Sequence, residues 1–344
     1  MTMKLFCDGK AIRLRMSADE KNSMLVVGGS RMGKTFFVSG FASGLIRKGD
    51  VVHLIDLGQK WSAQDRKRLQ FAGADMREVK NEGVILIFAS HEELFGCAKH
   101  ITNAVGFQSV NAVTVLKKAF QKLVSQKKIF SFRELCNNLK DELNEDTDEK
   151  EWRGKVCERL DTFGKLPNIC FCLQAEAFLL SSTIWDLAGI DETYVQIVAY
   201  LILYCLLCQQ RRLFGCAGAK RVFAIIDEFQ NLDCDRRAII GTCLTEGQKY
   251  RLNLILVTQF MDSNFSDAVI HQFKQGGFRF YFRLTEEEAK LVSKQIAYDI
   301  SIQKQIYQKL VQLPRGHCLM LGQHSLEGSW KVLEQFRFLE VKMT

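Results

Sequence analysis

Eight residues near the start of the chain have the types and spacing of a loop that holds phosphate groups. The segment Gly28–Thr35 fits G-x-x-x-x-G-K-[ST]. Its glycines let the backbone curl so that successive N–H groups point at a β-phosphate, and the N-terminus of a following helix adds partial positive charge. The spacing predicts Lys34 on the β- and γ-phosphates and the Thr35 hydroxyl on Mg²⁺. The residues predicted to bind a nucleotide such as ATP are Gly28, Gly29, Ser30, Arg31, Met32, Gly33, Lys34, Thr35 and Phe36.

A second segment supplies acidic groups of the kind that such a loop needs. Val222–Ile226 is an apolar run that ends in Asp227 and Glu228. A buried strand that ends in two carboxylates is the Walker B pattern, in which Asp227 holds Mg²⁺ and Glu228 polarises the attacking water as general base. The alternative is a strand followed by a solvated acidic turn.

A third apolar segment ends in a polar residue. Leu252–Thr258 is followed by Gln259, which we predict to lie beside the phosphate loop and to sense the γ-phosphate. The alternative is a plain glutamine at the end of a strand. If all three segments meet, the catalytic residues are Lys34, Glu228 and Gln259.

The elements around these residues predict an α/β protein. Apolar strands alternate with helices, which is typical of a mostly parallel sheet with helices on both faces. The expected strands include Met24–Val27, Val51–Asp56 and Val84–Phe88. The polar, helical pattern of the middle of the chain predicts an inserted subdomain. The expected divisions are a short β segment at 1–20, the first part of an ATPase core at 21–91, the helical insertion at 92–180 and the second part of the core at 181–344.

Composition sets the outer limits. The 344 residues are 47% hydrophobic and 25% charged, and the formal net charge is +8, which permits a polyanionic partner without requiring one. The 12 cysteines and the lack of a signal peptide lead us to expect free thiols in the cytoplasm. Cys205 and Cys208 lie within an apolar helical run, so buried thiols are favoured over a zinc site. The run Tyr194–Cys208 is too short to span a bilayer, so we expect a buried helix and no integral membrane segment.

The order of the motifs resembles the FtsK–HerA superfamily of ring ATPases. In the chain, the strand Ser182–Leu187 comes between the phosphate loop and Walker B, as in the additional-strand, catalytic-glutamate ATPases. Its continuation Trp185–Ile190 is similar to the "DLSGL" segment of HerA-type proteins, and Thr245–Gln259 is similar to their "REGRKYGLNLILATQ" passage. Phe278–Ala289 resembles the segment after it. The likeness covers about residues 20–90 and 182–340.

This resemblance implies a RecA-like P-loop NTPase core, ATP and Mg²⁺ as cofactors, and a hexameric ring. In such rings an arginine from the neighbouring subunit reaches the γ-phosphate. The family often has arginines where this chain has Thr245 and Gln248. The substitutes considered for this role are Arg251, Arg279 and Arg283. Arg31, at a position where relatives usually have a smaller residue, either contacts phosphate or faces solvent.

A basic stretch that contains one aromatic residue follows the second predicted strand of the core. If the cargo is DNA, the residues considered as contacts are Lys60, Arg66, Lys67 and Arg68, next to Trp61. A solvated helix face is the alternative, because basic triplets are common on protein surfaces.

Three functions remain open at this stage. The first is a motor that translocates double-stranded DNA in DNA processing, mobile-element transfer or phage defence, with a protein partner such as a nuclease or another effector. The second is a secretion-type ATPase that powers protein transport or assembly at a membrane complex, with a secretion component as its partner. The third is an ATP-gated ring that scaffolds a partner.

Overall fold

The computed structural model describes residues 3–14, 16, 22–57, 61–107, 109–141, 147–161, 169–174, 179–232, 238–260, 273, 277–326 and 336–343. The strands are β1 (Met3–Cys7), β2 (Lys10–Leu14), β3 (Met24–Val27), β4 (Val51–Asp56), β5 (Asp75–Glu78), β6 (Val84–Phe88), β7 (Ile129–Ser131), β8 (Ile169–Leu173), β9 (Thr183–Asp186), β10 (Val222–Asp227), β11 (Leu252–Thr258), β12 (Phe278–Tyr281), β13 (His317–Leu321), β14 (His324–Leu326) and β15 (Arg337–Met343).

The helices alternate with these strands. They are α1 (Lys34–Arg47), α2 (Ala63–Phe71), α3 (Val79–Glu82), α4 (His91–Ala104), α5 (Val110–Gln126), α6 (Phe132–Asp141), α7 (Thr147–Asp161), α8 (Glu192–Leu213), α9 (Ile239–Glu246), α10 (Glu286–Ile296) and α11 (Ile300–Gln312).

The main sheet has twelve strands within the described ranges, in the order β14-β2-β1-β15-β13-β12-β3-β11-β10-β4-β9-β5. The seven strands from β12 to β5 are parallel to one another. Strand β11 lies between β3 and β10, whereas β9 lies beyond β4. The strand that separates the phosphate loop from Walker B in the sheet is therefore Leu252–Thr258, although in the chain it is Ser182–Leu187 that comes between them.

Helices cover both faces of the parallel part of the sheet. One face packs against Phe37 of α1 and Leu69 of α2, and the other against Leu203 of α8 and Leu310 of α11. All six residues of β10 are buried, as expected for a strand with apolar neighbours on both sides. The α/β class predicted from the alternation of strands and helices is confirmed.

The inserted part of the chain is not purely helical. Strand β6, which we expected in the main sheet, forms a separate three-stranded sheet in the order β6-β8-β7, and α4 packs against α8. Its pairing with β8 is parallel, with Val84 opposite Ile169. Residues 84–88, which we expected in the first part of the core, therefore pair outside the main sheet. The apolar run of β6 predicted a buried strand, but it carries no information about which sheet the strand joins.

Helix α8 contains the long apolar run and is buried between the sheet and the insertion. Cys205 and Cys208 of this helix are buried, and the cysteines in the described ranges are free. None of the described helices is long and apolar enough to cross a membrane.

The parallel strands bring their carboxyl ends to one edge of the sheet. Asp227 of β10 is in register with Asp56 of β4, and Asp56 is in register with Asp186 of β9. On the other side, Thr258 of β11 is in register with Val27 of β3, directly before the phosphate loop. This edge is where ligands bind in open α/β sheets, and it gathers the motif residues of three separate segments.

Candidate active site

The loop after β3 is held by backbone hydrogen bonds to both neighbouring strand ends. The Gly28 amide donates to the Thr258 carbonyl at 3.3 Å, and the Gly29 amide donates to the Arg283 carbonyl at 2.9 Å. Gly28 has φ 154°, and a Cβ atom added there would lie 2.6 Å from Cβ of Phe282. Only glycine fits where the loop leaves the strand.

The same loop ends at the N-terminus of α1 in a form that suits an anion. Gly33 is the N-cap residue, with φ 108°, and its carbonyl accepts a hydrogen bond from the Phe37 amide at 2.9 Å. Gly33 offers no capping side chain, and the first turn of α1 contains no acidic residue. The amide groups of this turn therefore remain available to a ligand, and the helix dipole favours negative charge there.

Lys34 is folded back over the loop. Its Nζ donates to the Gly28 carbonyl at 2.5 Å and to the Gly29 carbonyl at 3.0 Å, and the residue is 7% exposed. The ammonium group is thereby placed over the start of the loop, within reach of phosphates bound there. Thr35 is partly buried on the first turn of α1.

Asp227 ends β10 as a buried carboxylate. Its Oδ2 accepts a hydrogen bond from Nε1 of Trp61 at 2.9 Å, and its Oδ1 accepts one from the amide of Glu228 at 3.0 Å. Burial raises the pKa of Asp227 to about 7, and the nearby charges of Asp56 and Glu228 add to this rise. The carboxylate thus lies where negative charge is poorly compensated, which is an environment that a divalent cation relieves.

Glu228 is fixed by two glutamine side chains. It has φ 57°, an uncommon backbone conformation for a residue with a side chain, and it is 4% exposed. Its Oε1 accepts a hydrogen bond from Nε2 of Gln259, and its Oε2 accepts one from Nε2 of Gln230. The structure therefore brings together Glu228 and Gln259, which are 31 residues apart in the chain, and Gln259 follows β11, the neighbour of β3 in the sheet. Gln230 also belongs to the site, although no pattern in the sequence indicates it.

A further part of the site comes from the segment between β4 and α2. Trp61 is 5% exposed and contacts Asp227, and Arg66 of α2 bridges two other carboxylates at the same edge. The Arg66 Nη2 donates to Asp56 at 2.9 Å, and its Nη1 donates to Asp186. Burial lowers the pKa of Arg66, but the hydrogen bonds and charges of Asp186 and Asp56 outweigh this and raise it. These contacts have only a weak signal in the sequence, an aromatic residue five positions after the end of β4.

These contacts change the interpretation of the predicted basic stretch. Arg66 forms ion pairs with two carboxylates. The Cζ atom of Arg68 lies 5.1 Å from the ring centre of Phe36, and its Nη1 lies 3.2 Å from Oδ1 of Asp65. Neither matches the solvated, phosphate-facing arginine that a DNA contact requires. Lys67 is exposed on α2. Lys60 lies outside the described residues.

The three arginines considered for a role in a neighbouring subunit occupy different places. Arg251 precedes β11, at the opposite end of that strand from Gln259, and its Nη1 donates to the Ala219 carbonyl at 2.8 Å. Arg279 lies within β12 and hydrogen-bonds Tyr281. Arg283 is exposed. It lies beside the phosphate loop of its own chain, because its backbone carbonyl accepts the hydrogen bond from the Gly29 amide. Of the three, only Arg251 lies far from its own site.

The tip of the loop is exposed. Arg31 has φ 60° and an exposed side chain. Met32, the next residue, is tied to the turn between α11 and β13, since its carbonyl accepts a hydrogen bond from the Gly316 amide at 3.0 Å. A Cβ atom added at Gly33 would lie 3.4 Å from Gly316. The phosphate loop is therefore hydrogen-bonded to the backbone of three other segments, at Thr258, Arg283 and Gly316.

The fold has clear relatives among solved structures. VirB4 of Thermoanaerobacter pseudethanolicus matches with a TM-score of 0.69 and 13% identity, over 100% of this chain and 96% of that chain. The chain has the fold of VirB4. The bacterial conjugative coupling protein TrwB, in its unbound form, matches with a TM-score of 0.59 and 10% identity, over 99% of this chain and 88% of that one. TrwB with the non-hydrolysable ATP analogue ADPNP matches with a TM-score of 0.58 and 12% identity, over 96% and 91%.

These solved structures share the α/β fold of the chain, so the fold class implied by the resemblance is confirmed. No protein-family model matches the chain, and no curated protein matches it. At identities of 10–13% the likeness establishes the fold, and the roles of individual residues depend on the geometry of this chain.

The donor set at the sheet edge fits a magnesium nucleotide. The Asp227 carboxylate and the Thr35 hydroxyl are oxygen ligands of the kind that Mg²⁺ takes, with water in the other positions. The first turn of α1 and Lys34 fit phosphate oxygens. In addition, Oε1 of Gln230 is buried with no hydrogen-bond partner in the described part of the chain. A polar atom without a partner beside Glu228 is consistent with a site that completes its hydrogen bonds when ligand and water are bound.

Proposed function

We propose that this chain is an ATPase of the FtsK–HerA type that hydrolyses ATP and works as a ring motor on double-stranded DNA. The observation that carries the ATPase part is the placement of Glu228 beside Asp227, held by Gln259 from the strand next to the phosphate loop. A carboxylate oriented in this way is suited to take a proton from water, and simple nucleotide sensing does not require it.

The other residues have roles that follow from their positions. The amides of the loop from Gly28 to Phe36 bind the phosphates, and Lys34 moves from the loop carbonyls to the phosphate oxygens. Thr35 and Asp227 hold the metal, and bound Mg²⁺ offsets the charge of the phosphates. Glu228 orients the attacking water and accepts its proton. Gln259 links Glu228 to β11, so a change at the γ-phosphate is passed to that strand.

The ring and the DNA cargo are supported by the fold and by charge. TrwB, which shares the fold, is a conjugative coupling protein, and the net charge of +8 is compatible with a polyanion. In a hexameric ring, Arg251 is the best placed of the three arginines to serve a neighbouring site, because it lies at the end of β11 that faces away from its own site. We propose a protein partner, such as a nuclease or another effector, that binds the inserted subdomain.

One observation favours a second function, a secretion-type ATPase that moves or assembles proteins. Two of the four residues considered as DNA contacts, Arg66 and Arg68, are engaged inside the chain. The third function, an ATP-gated scaffold, would use the same site to bind ATP and would hydrolyse it slowly.

The test of the cargo is steady-state ATP turnover with and without long duplex DNA at about 50 mM and about 200 mM salt, since binding to the DNA backbone weakens as salt rises. A DNA motor predicts stimulation that fades at the higher salt. Turnover that is indifferent to DNA at both salt concentrations contradicts the DNA motor and leaves the secretion-type function. A duplex with the same length but with an uncharged backbone analogue serves as the control.

A further inference from the structure

The indole of Trp61 lies against the carboxylate that the proposed function assigns to the metal. We propose that Trp61 is a positioning residue of the magnesium site, whose N–H group orients the Asp227 carboxylate for metal binding. This rests on the proposed function, because it assumes that Asp227 holds Mg²⁺. It assigns to Trp61 a role in the site itself, in place of the DNA contact that its basic neighbours suggested.

Two hydrogen bonds fix the Asp227 carboxylate in one orientation. Nε1 of Trp61 donates to Oδ2 at 2.9 Å, and the Glu228 amide donates to Oδ1 at 3.0 Å. One donor on each oxygen stops the carboxyl group from rotating, because either rotation breaks both bonds. Each carboxylate oxygen can accept two hydrogen bonds, so both keep a free lone pair for the metal or for its bound water.

The position of the indole is itself determined by surrounding contacts. Trp61 is 5% exposed and packs in the core of the face that contains α1 and α2. Its backbone amide donates to Oδ2 of Asp56 at 3.4 Å. Five residues further on, Arg66 fixes α2 to Asp56 and Asp186. Trp61 and the start of α2 are therefore tied to the ends of β4 and β9.

Rigid donors of this type have a known effect on metal sites. Groups that hydrogen-bond to a ligating side chain fix its orientation, and their loss typically weakens metal binding by about 10–100-fold. Asp227 depends on this help more than an exposed carboxylate does, since it is 4% exposed and has Asp56 as its neighbour in register on β4.

The substitution Trp61→Phe tests the proposal, because it keeps a buried aromatic ring and removes the N–H group. The measurement is thermal stabilisation at a saturating concentration of the ATP analogue ADPNP, titrated with Mg²⁺. We expect the Mg²⁺ concentration for half-maximal stabilisation to rise about 10-fold or more, while binding of ADPNP in EDTA stays unchanged. The matched control is Trp185→Phe, which removes a buried indole that donates to Nδ1 of His53 at 3.3 Å and should leave the Mg²⁺ titration unchanged.

Equal Mg²⁺ titrations for the wild type and Trp61→Phe overturn the proposal. If the wild type binds no ADPNP with or without Mg²⁺, the proposed function fails instead, so the two failures are distinguishable. Should Trp61→Phe not fold, a variant that keeps Trp61 as its only tryptophan gives a second test, with Trp152, Trp185 and Trp330 changed to phenylalanine. Its fluorescence should stay blue-shifted and resistant to acrylamide when Mg²⁺ and ADPNP bind. A red shift with strong quenching would mean that the metal displaces the indole, which contradicts a positioning role.

Discussion

Asp227→Asn should stabilise the nucleotide-free protein, and the gain should grow as the pH rises. The carboxyl group of Asp227 is buried beside Asp56 and Glu228, and its pKa is raised from an ordinary value of 3.8 to about 7. A raised pKa means that the folded protein holds the proton more tightly than the unfolded chain does. The wild type therefore loses stability as the pH rises from 3.8 to about 7, and the loss is constant above that range.

The size of the effect follows from the two pKa values. One pKa unit corresponds to about 1.4 kcal/mol, so the raised pKa of Asp227 lowers the free energy of unfolding by about 2 kcal/mol at about pH 5, where the buried carboxyl group is protonated, and by about 4 kcal/mol at about pH 8, where it is ionised. Asparagine has one acceptor oxygen in place of two, so it loses one of the hydrogen bonds from Trp61 and Glu228, worth about 1 kcal/mol. The net gain is about 1 kcal/mol at the lower pH and about 3 kcal/mol at the higher pH.

The assay is chemical denaturation of the wild type and the variant in EDTA at both pH values. Subtracting the two curves at each pH removes the titration of all other groups. The control is Asp299→Asn, at the N-cap of α11, where hydrogen bonds from the Ser301 side chain and from the Ile302 and Ser301 amides lower the pKa. Because this pKa is lowered, the protonation of Asp299 differs between the folded and unfolded protein only below about pH 3.8. The effect of Asp299→Asn on stability must therefore be the same at both pH values. A gain for Asp227→Asn that is constant or falls with pH refutes the reasoning.

Three further predictions concern the phosphate loop and the glutamine beside Glu228. Lys34→Ala should abolish binding of a fluorescent ATP analogue, measured by polarisation; binding within a few fold of wild type would contradict the role of Lys34. Gly28→Ala should destabilise the protein by about 1–3 kcal/mol, because the new Cβ atom lies 2.6 Å from Phe282, whereas Gly44→Ala, with nothing within 4 Å, should not; equal unfolding curves would count against the geometry. Gln259→Ala should lower the kcat of ATP hydrolysis by about 10-fold or more with little change in nucleotide affinity, and an unchanged kcat would show that Glu228 does not need this contact.

The phosphate loop and its flanking elements were predictable because their signal is local. A short apolar strand, a glycine-rich turn and a helix follow one another without interruption from Met24 to Arg47, and the structure has β3 and α1 in these positions. The strand before Asp227 was predictable for the same reason, since a parallel strand that is buried on both faces is a continuous apolar run.

Pairing between strands could not be predicted in this way. Val84–Phe88 looks like any other core strand, yet it forms the second sheet with β8. Strand β5, Asp75–Glu78, was missed because it is a polar strand at the edge of the sheet with three of its four residues exposed. Edge strands lack the apolar pattern on which sequence interpretation depends.

The contacts of Trp61, Arg66 and Gln230 were also beyond reach of the sequence. Trp61 and Asp227 are 166 positions apart, and Arg66 and Asp186 are 120 apart. Their meeting depends on the order β10-β4-β9 in the sheet, which no local pattern encodes. The basic residues around Trp61 pointed instead to a surface.

The most direct test of the central claim is ATP hydrolysis by the wild type and by Glu228→Gln, measured together with nucleotide binding on the same samples. Glutamine keeps the size of the side chain and leaves Asp227 intact, but it cannot accept a proton from water. We expect Glu228→Gln to bind ATP and Mg²⁺ like the wild type, while its hydrolysis of ATP falls by about 100-fold or more. Full turnover by Glu228→Gln, or a wild type that binds ATP without hydrolysing it, would contradict the account.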